Sequence, residues 1–184
     1  MLTAHEILKQ IKKGNIEIEP FDINCLNPNS YNVHLSNKLK AYDSNYTLDL
    51  KTQNNHFDEI IISQDGIILQ PGRLYIGATQ EIISSDKFIS AIDGRSSIGR
   101  LGMQIHLTAG FGDIGFNGTY TLEITVVQPV RIYPGFEIAQ VYFQKPCGKI
   151  NFLYKGRYQG QKDPTESKSS VDTRSLEGYH YNEQ

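Results

Sequence analysis

Cysteine is scarce in this chain: Cys25 and Cys147 are the two among 184 residues. Two thiols cannot build the disulfide framework of a small secreted domain, and they cannot supply a four-cysteine zinc site. They read as reduced thiols in a cytoplasmic protein. An excess of one charge is missing too. The 18 Lys and Arg stand against 20 Asp and Glu, a formal net charge of −2. That balance excludes the broad basic field of a nucleic-acid binder but leaves local basic clusters able to serve a small polyanion. No apolar run approaches the ~20 residues of a membrane span, and the N-terminus carries no signal-peptide apolar core. The expectation is a soluble, cytoplasmic protein without membrane or nucleic-acid partners. A chain of this length suits one domain and buries roughly 70% of its unfolded surface, so its core needs no staples.

The first element is a helix. Thr3-Ala4-His5-Glu6 has the pattern of a capping box, with Leu2 and Ile7 spaced as a hydrophobic staple. Ile7, Leu8 and Ile11 form one apolar stripe, and Gly14 is placed to end it. After Pro20 the pattern changes to short strands. Tyr31, Val33 and Leu35 alternate with polar residues, as do Tyr46, Leu48 and Leu50. Ile60 to Ile62 and Ile67 to Leu69 flank a Gln64-Asp65-Gly66 turn. Further strands are expected at Leu74 to Thr79, Glu81 to Ile83, Phe88 to Ile92, Gly118 to Val127, Val130 to Tyr133 and Glu137 to Phe143. Gln70-Pro71-Gly72 and Tyr133-Pro134-Gly135 each read as a tight turn in which glycine takes the positive φ. The stretch from about Asn45 to Asp58 is polar, a surface hairpin or loop. Many short strands with such breaks indicate an all-β barrel or jelly roll with a short N-terminal helix. One domain over residues 1–165 is expected. From Gln161 the apolar content falls, and residues 166–184 make a polar tail expected to be extended or disordered until something orders it.

Chemistry concentrates between Asp93 and Glu123. Gly94-Arg95-Ser96-Ser97-Ile98-Gly99-Arg100 puts two hydroxyls and two guanidiniums within seven residues. A short helix starting at the serines would turn amides, hydroxyls and arginines toward one anion. The plain alternative is a capped surface helix with solvated arginines. His106 to Gly118 holds four glycines around Asp113, which suits a hairpin approaching something closely, although aspartate is also an ordinary turn former. Thr121-Leu122-Glu123-Ile124 sets an acid in an apolar strand. Outward-facing glutamates are ordinary in strands. Facing a pocket, Glu123 would gain acid/base character through desolvation.

Taken together, these runs resemble the dCTP deaminase/dUTPase family, most closely its dUMP-forming dCTP deaminases. The resemblance covers Gly94-Arg95-Ser96-Ser97-Ile98-Gly99-Arg100-Leu101-Gly102, Thr108-Ala109-Gly110-Phe111 through Asp113, Gly115-Phe116 and Thr121-Leu122-Glu123. It continues through Tyr133-Pro134-Gly135, Gln140 and Tyr158-Gln159-Gly160-Gln161 to Pro164-Thr165. Asn27-Pro28-Asn29-Ser30-Tyr31-Asn32-Val33-His34-Leu35 is similar to the family's Pro-Ser-Ser-x-Asp-Val-Arg-Leu element.

The resemblance implies a homotrimer of distorted β-barrels with active sites between subunits. Arg95, Ser96, Ser97 and Arg100 would meet phosphates and base, partly from a neighbouring subunit. Ala109, Gly110, Phe111, Thr121 and Leu122 would contact the nucleotide. Glu123 would activate the water that attacks cytosine C4, and Asp113 would sit beside the deoxyribose and order water. Gln140, Tyr154, Arg157 and Gln161 would hold and close over the triphosphate. The substrate would be dCTP, with dUTP a further substrate and dTTP an inhibitor. Mg2+ would come with the triphosphate, without direct protein ligands. The zinc-deaminase pattern His-x-Glu…Pro-Cys-x-x-Cys is missing, because Pro146-Cys147 has no second cysteine. No zinc is expected.

Family members that release dUTP often carry His-Arg after the alanine at 109, whereas those that continue to dUMP commonly carry Gly then Trp or Phe. Gly110-Phe111 matches the second pattern, which favours dUMP as product. Four departures accompany it. Gly112 replaces a bulky aliphatic residue, which predicts a looser backbone beside Asp113. Asn32 replaces an aspartate, Arg157 a lysine, and the connection after Glu123's strand is about two residues shorter than in relatives. Three alternatives remain: a deaminase that stops at dUTP, a plain dUTPase, and a catalytically silent nucleotide-binding relative. The C-terminal segment lacks the glycine-rich aromatic arm of a dUTPase.

Overall fold

Alternation of apolar and polar residues determines which face of each strand turns inward, and the computed structural model describes the outcome for residues 1–53 and 56–171. Helix α1 (Ala4–Lys12) leads into β1 (Glu17–Glu19), a 3-10 turn at Ile23–Cys25, β2 (Tyr31–His34), β3 (Lys38–Tyr42), β4 (Phe57–Ile61) and β5 (Ile67–Leu69). Then come β6 (Tyr75–Ser84), β7 (Ile89–Gly94), the four-residue α2 (Ser96–Gly99), β8 (Met103–Gln104) and β9 (Phe111–Gly112). Strands β10 (Asn117–Val126), β11 (Val130–Ile132) and β12 (Glu137–Gln144) complete the set, followed by a 3-10 turn at Ser169–Val171. One sheet runs β4-β3-β6-β10-β8 with β1 also on β6; a second runs β2-β12-β7-β9; β11 and β5 form a two-stranded ribbon. Every pairing among the described residues is antiparallel, so the all-β architecture expected from the sequence stands.

Both larger sheets contribute to one core. Leu122 and Ile124 of β10, Val33 of β2, and Val141 and Phe143 of β12 are all fully buried. Each such side chain contributes about 1.5–3 kcal/mol through removal from water. Ile7 of α1 joins the same cluster.

Several local expectations change. Thr3 is the N-cap of α1 but makes no side-chain capping bond. Glu6 instead accepts from Gln10 and Lys9 one turn on, so the capping box is not formed. Gly14 does take a positive φ of 68° just past the helix, as do Gly72 (75°) and Gly135 (72°) in the two Pro-Gly turns. Leu74 to Thr79 and Glu81 to Ile83 belong to one continuous strand. Strands β4 and β5 flank the Gln64-Asp65-Gly66 turn but pair elsewhere, β4 with β3 and β5 with β11. The alternation at Tyr46, Leu48 and Leu50 produces no strand: all three are exposed, and Tyr46 stacks on His56 at 3.7 Å between ring centres. Strand β3, with two lysines among five residues, had no clear strand signal.

Two irregularities interrupt the regular registers. Between the β10–β6 pairs Thr119↔Ile82 and Thr121↔Ala78, one residue of β10 faces three of β6, Thr79 to Glu81. Between Glu137↔His34 and Ala139↔Val33, β12 carries one extra residue, Ile138. Such bulges re-aim side chains.

Candidate active site

Strand β10 supplies the acid. Its inward set includes Leu122 and Ile124, so Thr121 and Glu123 point the other way and are half-buried. They line a cleft of about 510 Å³ together with Thr108, Ala109, Phe111, Asp113, Tyr154 and Gln161. One Glu123 carboxylate oxygen accepts the Leu107 backbone N–H at 2.9 Å, and the Glu123 N–H donates to the Ile105 carbonyl at 2.8 Å. The side chain is thereby held beside the 105–107 segment. Gln161 Nε2 donates to the Thr119 carbonyl (2.7 Å) and to Thr121 Oγ1 (3.1 Å), which ties the C-terminal segment to the same strand.

The Gly-rich run is tight rather than loose. Gly112 is buried, and a β-carbon there would lie 1.9 Å from the Tyr120 hydroxyl and 2.8 Å from Ser90 Oγ. Those two hydroxyls hydrogen-bond to each other across β10 and β7. The place of a bulky residue before Asp113 is therefore filled by Tyr120, and the expected slackness is corrected. Burial pushes the Tyr120 hydroxyl up to about 12. Gly110 is equally constrained: a β-carbon would meet the Ile92 carbonyl at 2.6 Å and the His106 ring at 2.9 Å. Asp113 is exposed and opens a turn in which the Phe116 N–H donates to its carbonyl. Phe116 packs edge-on against Tyr120 and Tyr154, giving the cleft an aromatic wall.

Not every sequence-derived candidate faces this cleft. The Leu122 side chain is in the core, which leaves only its backbone for any contact. Gly110 lines a smaller neighbouring groove instead. Arg95 and Ser96 belong to a separate groove with Asp93, Gly94 and Met103 to Leu107. Arg95 there donates to the Glu137 carbonyl and pairs with its carboxylate, both at 2.8 Å. Ser97 and Arg100 are exposed on α2 and its end. Gln140 sits behind this loop, accepting from Ser30 Oγ at 3.0 Å and donating to the Gly94 carbonyl at 3.3 Å. Arg157 donates to the Lys168 carbonyl at 2.6 Å. Leu107 borders both the cleft and the Arg95 groove.

Sequence reasoning missed part of the lining: Tyr42 from β3, Ile76 from β6, Tyr120, and Thr165 to Ser167. The segment from Gln161 to Val171 is extended but docked. Glu166 pairs with Lys40 at 2.6 Å, the Ser167 N–H donates to Tyr42, and the Lys168 N–H donates to Tyr158. Burial alone pushes the Glu166 carboxyl up, but the hydrogen bond from Lys40 and the charges of Lys40 and Lys168 outweigh it and hold it below its ordinary value. The remainder of the expected tail, 172–184, lies outside the described residues.

The fold of antiparallel sheets matches a solved structure. The 2′-deoxycytidine 5′-triphosphate deaminase of Agrobacterium tumefaciens superposes with a TM-score of 0.61 at 21% identity, covering 79% of this chain and 47% of that one. The sequence profile described as dCTP deaminase-like matches residues 1–146, and the chain belongs to that family. Among its relatives, the "dCTP deaminase, dUMP-forming" of Clostridium beijerinckii is 50% identical over 162 residues, 88% of this chain and 92% of that protein. Proteins with the same description from Cytophaga hutchinsonii and Leptospira biflexa are 48% and 44% identical, covering 81% and 88% of this chain.

Proposed function

We propose that the cleft deaminates dCTP and carries the product on to dUMP, with release of ammonia and pyrophosphate. The observation that carries this reading is the placement of Glu123 and Asp113 in one aromatic-walled cleft, in a chain half identical to a protein so described. One Glu123 oxygen is held by the Leu107 N–H, which orients the carboxylate for water at the other. Glu123 takes a proton from that water as its oxygen adds to cytosine C4, delivers a proton to N3, and then assists the departure of the amino group as ammonia. A second water, ordered by Asp113, attacks the α-phosphate and displaces pyrophosphate. The overall change is dCTP plus two waters giving dUMP, ammonia and pyrophosphate.

The phosphates are a trianionic load or more, and the cleft itself carries Asp113, Glu123 and Glu166. Cationic help comes from Mg2+ on the triphosphate and from Arg95 and Arg100. The proposed Mg2+ would be held by the phosphate oxygens that it prefers. Within one chain Arg95 and Ser96 line a different groove from Glu123, and Ser97 and Arg100 line neither, which supports a site completed by a second copy in a trimer, with Leu107 bordering both grooves.

The test is incubation of the purified chain with dCTP and Mg2+, with nucleotides, ammonia and pyrophosphate measured together. Equal dUMP, ammonia and pyrophosphate with little free dUTP is expected. Accumulation of dUTP without pyrophosphate would reduce the reading to a simple deaminase. Untouched dCTP with turnover of dUTP would make it a dUTPase.

A further inference from the structure

Away from the cleft, three ligand types converge. Cys25, His34 and Glu137 each bring a donor atom within 4.8 Å of the others, and none of them lines the cleft. Cys25 comes from the 3-10 turn before β2, His34 ends β2, and Glu137 opens β12. The bulge at Ile138 produces this meeting. In the register of the Ala139↔Val33 pair, Ile138 would stand opposite His34; the extra residue puts Glu137 there instead.

The second β-bulge supplies what lies behind the histidine. Glu81, in the three-residue stretch of β6 opposite Tyr120, is 1% exposed. Its two oxygens both serve His34, Oε1 on ring Nδ1 at 2.5 Å and Oε2 on the backbone N–H at 2.9 Å. With Glu81 as a carboxylate, Nδ1 is the donor of that bond, and Nε2, 3.9 Å from Cys25 Sγ, is the ring nitrogen that offers a lone pair in the neutral imidazole. This is the carboxylate–histidine arrangement that orients metal-binding imidazoles. Glu137 is oriented as well: Asn32 Nδ2 (2.9 Å) and Arg95 (2.8 Å) both bond its Oε2, leaving Oε1 uncommitted by either. In the family element similar to residues 28–35, arginine occupies the place of His34. Arginine offers no lone pair, whereas histidine keeps the bond to Glu81 and adds a ligand atom.

We propose that Cys25, His34 and Glu137 form a binding site for one zinc-class divalent cation, with Glu81 positioning His34. The donor set of one thiolate, one imidazole and one carboxylate fits a borderline-soft, tetrahedral ion with a fourth position for water. Zn–S of about 2.3 Å and Zn–N of about 2.0–2.1 Å put tetrahedral sulfur and nitrogen about 3.6 Å apart. The 3.9 Å separation therefore closes by a few tenths of an ångström on loading. His34 and Glu137 are half-buried and give the ion a path from solvent. The site departs from the expectation, drawn from cysteine spacing, that the chain holds no zinc, and its three ligands lie outside the cleft, although Glu137 is also paired with Arg95.

Cobalt(II) is the probe. The full chain carrying Cys147→Ser, which removes the exposed second thiol, is stripped with chelator and titrated with Co2+. Visible tetrahedral d–d absorption and a near-ultraviolet thiolate-to-cobalt band are expected to saturate at one ion per chain and to be displaced by Zn2+. Adding Cys25→Ser removes the thiolate band. Glu81→Gln keeps it but weakens affinity about 10- to 100-fold. Absence of the thiolate band in the folded Cys147→Ser chain overturns the site, as does its persistence after Cys25→Ser. Unchanged affinity in Glu81→Gln overturns the role of Glu81.

Discussion

The cleft and the Arg95 groove divide the family's signature between them. The cleft holds the acids and the aromatic wall, Glu123 and Asp113 beside Phe116 and Tyr154, on strands and turns fastened by backbone bonds. The groove holds Ser96 and Arg95, the latter already engaged by Glu137, while Ser97 and Arg100 are exposed on α2 and at its end. Groups assigned above to one substrate thus line two grooves of a chain, with Leu107 on the border. In the proposed trimer a symmetric neighbour would bring its copy of the second groove to the cleft.

The sharpest way to break this division is at its chemical end. Glu123→Gln should lower ammonia release by about 10²- to 10⁴-fold while nucleotide binding, followed by calorimetry, stays largely intact; substantial residual deamination would remove Glu123 from the reaction. Next, Arg100→Ala should weaken dCTP turnover from the other face. Unfolding and co-refolding it with Glu123→Gln should restore activity in about a quarter of the sites if neighbouring copies share them, by random pairing in a closed ring. No recovery would place both halves within one chain's site.

Smaller effects refine the cleft. Gly112→Ala should destabilise by about 1–3 kcal/mol through collision with the Tyr120 hydroxyl, seen as a fall of several degrees in Tm. Tyr120→Phe in the same chain should recover part of that loss, and a Gly112→Ala chain of native Tm would mean that this contact yields easily. Least of all, Lys40→Ala should loosen the docked segment by ~1 kcal/mol, read as faster proteolysis near Lys162 and Lys168. Because the folded carboxyl of Glu166 lies below its ordinary value, its contribution is complete above that ordinary value. It is lost as pH falls through the depressed one. Docking that tightens on acidification would contradict this ion pair.

Legibility tracked signal length. Strands β10 and β12 were each expected as one run and β6 as two, which the structure joins, and the Pro-Gly turns stood out through their chemistry. Strand β3 did not, since its lysines reach partners supplied from 125 and 126 residues later, Asp163 and Glu166. Tyr46, Leu48 and Leu50 carried the right period but have no sheet to join. At the site, Glu123 and Asp113 were singled out through the resemblance of their runs to a family, since each alone is an ordinary strand or turn acid, whereas Tyr42, Tyr120 and Glu166 had no local mark.

Local sequence determined the longer strands, the opposite faces taken by Leu122 and Glu123 on β10, and where glycine is needed to let the backbone turn. Those properties depend on neighbours within a few residues: period, φ and the absence of a β-carbon. Tertiary structure alone decided that Tyr120 fills the space above Gly112, that two bulges bring Glu81, His34 and Glu137 to Cys25, and that Arg95 lines a different groove from Glu123. Each depends on register between strands far apart in the chain, and a one-residue slip in register re-aims every side chain beyond it.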